Sequence, residues 1–158
     1  MNILTIILYA SPRADGYTAR TMAEYIKNCH DQVKIFDAFR INAKPCIGCG
    51  RCADGFCHYH DLDYLFAQII EADTLVIATP IYNFNVPSPL KAIFDRMQPF
   101  YEKPLTDKKL NVDILFSCGR SGEESTKYTT RMIDCIIKNL GGKIRDIKIT
   151  NFTDDRND

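Results

Sequence analysis

Five short, unbroken apolar runs alternate with segments of helical spacing, and that alternation leaves few folds open. The runs are Ile3–Tyr9, Val33–Phe36, Thr74–Thr79, Val112–Ser117 and Ile144–Ile149. Continuous apolar runs of this length predict strands buried on both faces of a parallel sheet. Between them, apolar residues recur at helical steps. Met22, Ile26 and Cys29 share one face, and Leu62, Leu65, Phe66, Ile69 and Ile70 share a second. Leu90, Ile93, Phe94 and Met97 mark a third helix, and Met132, Ile133, Ile136, Ile137 and Leu140 a fourth. Ser88 and Pro89 suit the start of the third, and Gly141 suits the stop of the fourth. The order βαβαβαβαβ with right-handed crossovers gives a doubly wound five-stranded parallel α/β sheet, expected in the order 2-1-3-4-5. It occupies a single domain, residues 1–158. After the last run only Asn151–Asp158 remain, too short and polar for a covering final helix. One flank of the sheet is therefore expected to lack its cover there.

Composition narrows the function. The 158 residues are 46% hydrophobic and 25% charged, with 20 basic and 20 acidic side chains. Zero net charge argues against a nucleic-acid partner, and no apolar run reaches the roughly 18 residues of a membrane span. Seven cysteines and no basic-headed leader point to a reducing cytoplasmic setting.

In a sheet of this order, ligands bind beyond the carboxyl ends of the strands, where the strand order reverses. Every unusual motif falls in a loop on that edge. Ser11-Pro12-Arg13-Ala14-Asp15-Gly16-Tyr17-Thr18 follows the first strand and opens the first helix. Hydroxyls, a glycine and a helix N-terminus together make an anion cradle, with Arg13 as a possible charge partner. A dinucleotide G-x-G-x-x-G is absent, which favours a mononucleotide. A receiver domain shares the topology but needs acids where this chain has Ser-Pro-Arg and Thr-Pro. The third strand leads into Thr79-Pro80-Ile81-Tyr82-Asn83-Phe84-Asn85-Val86-Pro87, a stiff, partly apolar loop able to wall a flat aromatic ligand. Ser117-Cys118-Gly119-Arg120-Ser121-Gly122 follows the fourth strand as a third wall.

Cys46, Cys49, Cys52 and Cys57 lie within PCIGCGRCADGFC after the second strand, spaced C-x2-C-x2-C-x4-C. Four thiols so close can ligate a 4Fe-4S cluster or tetrahedral zinc, or act as free redox-active thiols. His58 and His60 follow as alternate ligands or plain loop residues. Cys29 and Cys135 are expected in the core.

The Ser-Pro-Arg stretch with Gly16 and Thr18, followed by TPIYNFNVPSPLKAIFDR, resembles the flavodoxin-like NAD(P)H-dependent FMN reductases and quinone reductases. The cysteine stretch with Asp61 resembles the iron–sulfur flavoproteins. The resemblance implies FMN as cofactor, with Ser11, Arg13, Gly16, Tyr17 and Thr18 on its phosphate. Pro80, Ile81, Tyr82, Asn83 and Phe84 would meet the ring and ribityl chain, and Ser117, Cys118 and Gly119 would close the far side. It further implies NAD(P)H as donor, a quinone, flavin or other small-molecule or protein acceptor, and a homodimer or tetramer. Ala10 and Tyr17 stand where the family often has Gly and Asn. The apolar residues Ile144, Ile147 and Ile149, and the pair Phe100 and Tyr101, are the surfaces expected at a subunit contact.

Overall fold

The computed structural model describes residues 3–154. In chain order the elements are β1 (Leu4–Tyr9), α1 (Tyr17–Lys27), β2 (Gln32–Asp37), α2 (Ala38–Ile41), a 3-10 turn (Arg51–Asp54), α3 (Asp63–Glu71), β3 (Thr74–Pro80), α4 (Ser88–Asp95), α5 (Gln98–Glu102), β4 (Leu110–Ser117), α6 (Gly122–Lys138) and β5 (Gly142–Thr150). The strands form one parallel sheet in the order β2-β1-β3-β4-β5, as the apolar pattern predicts. Among the described residues no helix follows β5, and no helix is long and apolar enough to cross a membrane.

Burial on both faces holds for the three central strands only. β1, β3 and β4 are almost wholly buried, whereas the edge strands β2 and β5 are largely half-exposed or exposed. Ile35 of β2, read as interior, is an exposed edge residue. Side chains alternate along the strands. Ile6, Leu8, Leu75, Ile77, Val112, Ile114 and Phe116 face α3, α4 and α6, and meet Leu65, Ile69, Leu90, Ile93, Ile133 and Ile137. Ile7, Tyr9, Val76, Ala78 and Leu115 face the other way, against Ala19, Met22, Tyr25 and Ile26 of α1. Each large aliphatic so buried contributes roughly 1.5–3 kcal/mol. Ser88 makes no capping bond, although Pro89 does sit in the first turn of α4. Cys29 lies beyond the end of α1 and is half-buried, and Cys135 is exposed, so neither belongs to the core.

The bare flank of β5 is not apolar. A register shift sets Ile144 opposite Val112 but Asp146 opposite Asp113, which makes Arg145 a bulge residue. Ile147 then pairs with Ile114 and Ile149 with Phe116, so all three isoleucines turn toward α6. A Cβ placed on Gly122 at the start of α6 would collide with Ile149 Cγ2. The α1 side of β5 carries Asp146, Lys148 and Thr150 instead. There Tyr25 Oη donates to buried Asp113 at 2.7 Å, and Arg145 Nε donates to the same carboxylate at 2.9 Å. Burial and the Asp113 carboxylate hold the Tyr25 phenol well above its ordinary value. Lys148 pairs with Glu24 at 2.7 Å. This polar flank is compatible with water, while on the other face Ile147 and Ile149 stay partly open, each 37% exposed. Phe100 is also turned inward, edge-on to Phe66 at 5.4 Å between ring centres, while Tyr101 is exposed.

Asp113→Ala is expected to cost about 2–3 kcal/mol of stability, because it leaves the Tyr25 hydroxyl and Arg145 without their shared acceptor. Arg145→Ala should cost less, since that side chain is half-exposed. Urea unfolding of both variants checks the order.

Candidate functional site

The carboxyl ends of β1, β3 and β4 open into a cleft of about 390 Å³. Eleven of the thirteen residues expected at a cofactor line it: Ser11, Arg13, Gly16, Tyr17, Thr18, Pro80, Ile81, Tyr82, Asn83, Ser117 and Gly119. The other two, Phe84 and Cys118, line an adjoining cavity of about 460 Å³ that shares Ile81, Asn83 and Gly119 with the first and also holds Arg120.

Each wall is held by specific bonds. In the loop after β1, Tyr9 Oη donates to the Arg13 carbonyl at 2.6 Å, and Arg13 N–H donates to Ser11 Oγ at 3.3 Å. Gly16 is the N-cap of α1, and neither a side-chain cap nor an acidic residue occupies the first helical turn. The first-turn N–H groups and the positive end of the helix are therefore left for an anion. Thr18 Oγ1 donates to Ser117 Oγ at 3.1 Å, so α1 is pinned to the end of β4 within the cleft floor. Of the two hydroxyl protons in this pair, one is spent internally and one remains for a ligand.

The loop after β3 is a tight reversal. Tyr82 and Asn85 exchange backbone bonds of 2.7 and 3.0 Å around Asn83 and Phe84, which sit at φ 49° and 62°. Two successive left-handed residues make a type I′ turn, a geometry usually filled by Asn-Gly. Asn accepts this conformation readily, whereas Phe does not. Phe84 is nonetheless held there: Thr129 Oγ1 of α6 donates to its carbonyl at 2.9 Å, and its ring is 63% exposed. The sequence pattern gave the loop its stiffness but no sign of this turn, because the Asn-Phe pair does not advertise it.

Thr153 and Asp154 also line the cleft, and nothing in their composition pointed there. They arrive because Thr153 N–H donates to the Cys118 carbonyl at 3.0 Å and Asn151 Oδ1 accepts from Gly122 N–H at 2.7 Å. The Asp154 carboxylate lies so close to Gly119 that any Cβ there would collide with it. Burial pushes the Cys118 thiol up, only partly offset by Ser125.

The cysteine loop forms a second site. Cys46, Cys49, Cys52 and Cys57 line a mainly apolar cavity of about 270 Å³ with His58, Tyr59 and Arg96. Gly48, Gly50 and Gly55 adopt φ of 63°, 75° and 91°, and these reversals fold the loop around the cavity. Burial, then the neighbouring thiols Cys57, Cys46 and Cys49, push the Cys52 thiol up. All seven cysteines are free thiols. Among the described residues no three His, Cys, Asp or Glu side chains are placed to hold a single metal ion. Four thiolates around one cavity are a donor set that tetrahedral zinc and an iron–sulfur cluster both use. His60 is drawn away into a 2.7 Å pair with Asp63.

The neck of this loop is closed by Asp61 and Arg96. Asp61 accepts the Lys44 N–H at 3.1 Å and pairs with Arg96 at 2.6 Å. Burial opposes the charged form of Asp61, but the Lys44 N–H and Arg96 outweigh it and hold the carboxyl below its ordinary value. In the sequence Arg96 only ends the stretch TPIYNFNVPSPLKAIFDR, with nothing to mark a role of its own.

Residues 1–138 match the model of the family described as NADPH-dependent FMN reductase. The chain belongs to that family. An iron-sulfur flavoprotein of Archaeoglobus fulgidus is 29% identical over 132 residues, covering 80% of this chain and 60% of that protein. The chain thus spans about 60% of the length of this curated relative. Among solved structures, the NAD(P)H:quinone oxidoreductase from Methanothermobacter marburgensis superposes with a TM-score of 0.75 at 16% identity, covering 96% of this chain and 83% of that one. An FMN-dependent NADH-azoreductase from Bacillus anthracis, solved in complex with FMN, gives 0.63 at 16% identity, with coverage of 94% and 85%. At these identities the two structures share the fold.

Phe84→Gly is expected to raise stability by about 0.5–1 kcal/mol, because glycine takes the left-handed geometry without strain and little buried surface is lost. If the ring serves the cleft, the same variant retains cofactor less well. Thermal unfolding and cofactor retention, measured together, check both halves.

Proposed function

We propose that the cleft binds FMN and that the protein is an FMN-dependent oxidoreductase, moving electrons from NAD(P)H to a quinone, a flavin or another acceptor. The uncapped, acid-free first turn of α1, opening on the same cleft as Tyr82 and Ser117, carries this reading. Its N–H groups and Ser11 would take the phosphate, joined by Thr18 once the rotatable hydroxyl pair reverses and Ser117 donates to Thr18 instead, and Arg13 would add charge at the rim. Pro80, Ile81, Tyr82 and Asn83 would lie along the ring and ribityl chain, and Ser117 and Gly119 on the far side. Bound there, FMN supplies a redox centre able to accept electrons from a nicotinamide and release them to a second substrate. The protein binds and orients it: the prolines and the Thr129–Phe84 bond keep the ring wall rigid, and no side chain is required as acid or base. The family name supports an NADPH donor. The exposed aromatics Tyr82, Phe84 and Tyr128 are the surface through which a second subunit could complete the cleft.

A second reading follows from the thiol-lined cavity. Cys46, Cys49, Cys52 and Cys57 would hold a 4Fe-4S cluster, which supplies one-electron transfer when bound, and the protein would then act as an electron carrier. The iron-sulfur flavoprotein relative supports it.

Mass spectrometry of the released cofactor should find FMN rather than FAD. Thr18→Val should weaken FMN binding by about 1 kcal/mol, the scale of one hydrogen bond. Recovery of FAD, or of no flavin after reconstitution, would count against the cleft assignment. Cys49→Ser should abolish iron and acid-labile sulfide in anaerobically prepared protein and leave FMN bound. Loss of both cofactors together would mean that the cysteine loop helps to build the flavin cleft.

A further inference from the structure

Arg96 stands just past the end of α4, outside the FMN cleft, and is only 1% exposed. All three of its guanidinium nitrogens are engaged. Nε donates to Cys57 Sγ at 3.2 Å, Nη1 to the Lys44 carbonyl at 3.2 Å, and Nη2 to the Tyr59 carbonyl at 2.9 Å. Nη1 also pairs with Asp61 Oδ1 at 2.6 Å, and the group lies over the Tyr59 ring, 5.2 Å from its centre. Every one of these partners belongs to the cysteine loop, and they come from both of its ends. Lys44 precedes Cys46, while Cys57, Tyr59 and Asp61 close the far side.

Burying a guanidinium costs several kcal/mol in desolvation, and apolar side chains can brace a loop without that cost. Carbonyls and a carboxylate would also satisfy an arginine that served only as a brace. The contact that such a role does not explain is the one to sulfur. Cys46 accepts a longer neutral bond, from Gly48 N–H at 3.5 Å. Among the described residues, Cys57 is the one cysteine of the loop that receives a charged donor.

We propose that Arg96 is a positioning residue for the cysteine site: it pre-forms the loop around its cavity, and its hydrogen bond to the Cys57 sulfur makes Cys57 the ligand that tunes the bound group. The second half rests on the reading of the loop as a 4Fe-4S site. A donor to a ligand sulfur disperses negative charge and favours the reduced, more negative state, so it raises the reduction potential. Partners of this kind around metal ligands typically change metal affinity by about 10–100-fold when lost.

The test uses the full chain, anaerobically reconstituted with iron and sulfide, as wild type, Arg96→Lys and Asp61→Asn. The readouts are iron and sulfide per chain, cluster potential by redox titration, FMN content, and hydrogen exchange of residues 44–61. Arg96→Lys should keep its FMN, load iron at least tenfold more weakly, titrate at a more negative potential, and exchange faster across the loop. Asp61→Asn loosens the neck but spares the Nε–Sγ bond and removes a negative charge, so it should exchange faster and load more weakly at a potential no more negative than wild type. A folded Arg96→Lys that loads, titrates and exchanges like wild type overturns the proposal. Should Arg96→Lys not fold, wild-type loading and exchange in Asp61→Asn overturn it instead. Wild-type protein that takes up no iron or sulfide refutes the cluster reading and the tuning role with it. Loop exchange in the metal-free Arg96→Lys protein then still decides whether Arg96 pre-forms the loop.

Discussion

Three strands buried on both faces, running the same way, fix everything else. β1, β3 and β4 satisfy their backbone groups by pairing with a strand on each side, and their side chains by helices on either face. Their carboxyl ends must then emerge together. Segments distant in sequence therefore meet at one edge, as the bond between Thr18 and Ser117, 99 residues apart, makes concrete. The strand order reverses between β1 and β3, so a gap opens there that no core side chain fills. The cleft is a consequence of this topology, and the local sequence decides only what lines it.

The two sites are built by different physics and joined by one helix. In the cleft as proposed, backbone N–H groups and short hydroxyls would do the binding, so Tyr17 in place of a smaller polar residue would leave the cradle intact. In the cysteine loop, left-handed glycines set the path and a buried guanidinium ties the ends. α4 begins where the Tyr82 loop ends and finishes at Arg96. Its eight residues place those two ends about 12 Å apart. A rigid element of that length connects the proposed ring wall to the neck of the cysteine loop.

The fold was legible because it rests on period and length. The apolar runs named the strands, the crossover rule gave a doubly wound sheet, and the order expected for it, 2-1-3-4-5, is the one formed. Most of the cleft was legible too, since Ser11, Gly16, Thr18, Pro80 and Ser117 are types suited to turns and anions at a predictable edge. What escaped the sequence has specific causes. One bulge residue, Arg145, reverses the alternation of β5. On a regular strand Ile144 and Ile147 would point to opposite faces, but here both turn toward α6. The left-handed Phe84 breaks the expected turn chemistry, because a bond from α6 overrides local preference. Asp154 reaches the cleft through backbone bonds to the loop after β4, which leave no mark on composition. Arg96 acts through partners 35 or more residues away in sequence, beyond the reach of any local pattern.

The central claim is that the N-terminus of α1 binds the phosphate of FMN. Calorimetric titration of the flavin-free protein with FMN and with riboflavin, which lacks only the phosphate, tests it directly. FMN should bind much more tightly, by tenfold or more. Added inorganic phosphate should weaken FMN binding and leave riboflavin binding unchanged. Equal affinity for the two flavins would contradict it, because the ring wall alone would then carry the binding and the cradle would be an unused turn.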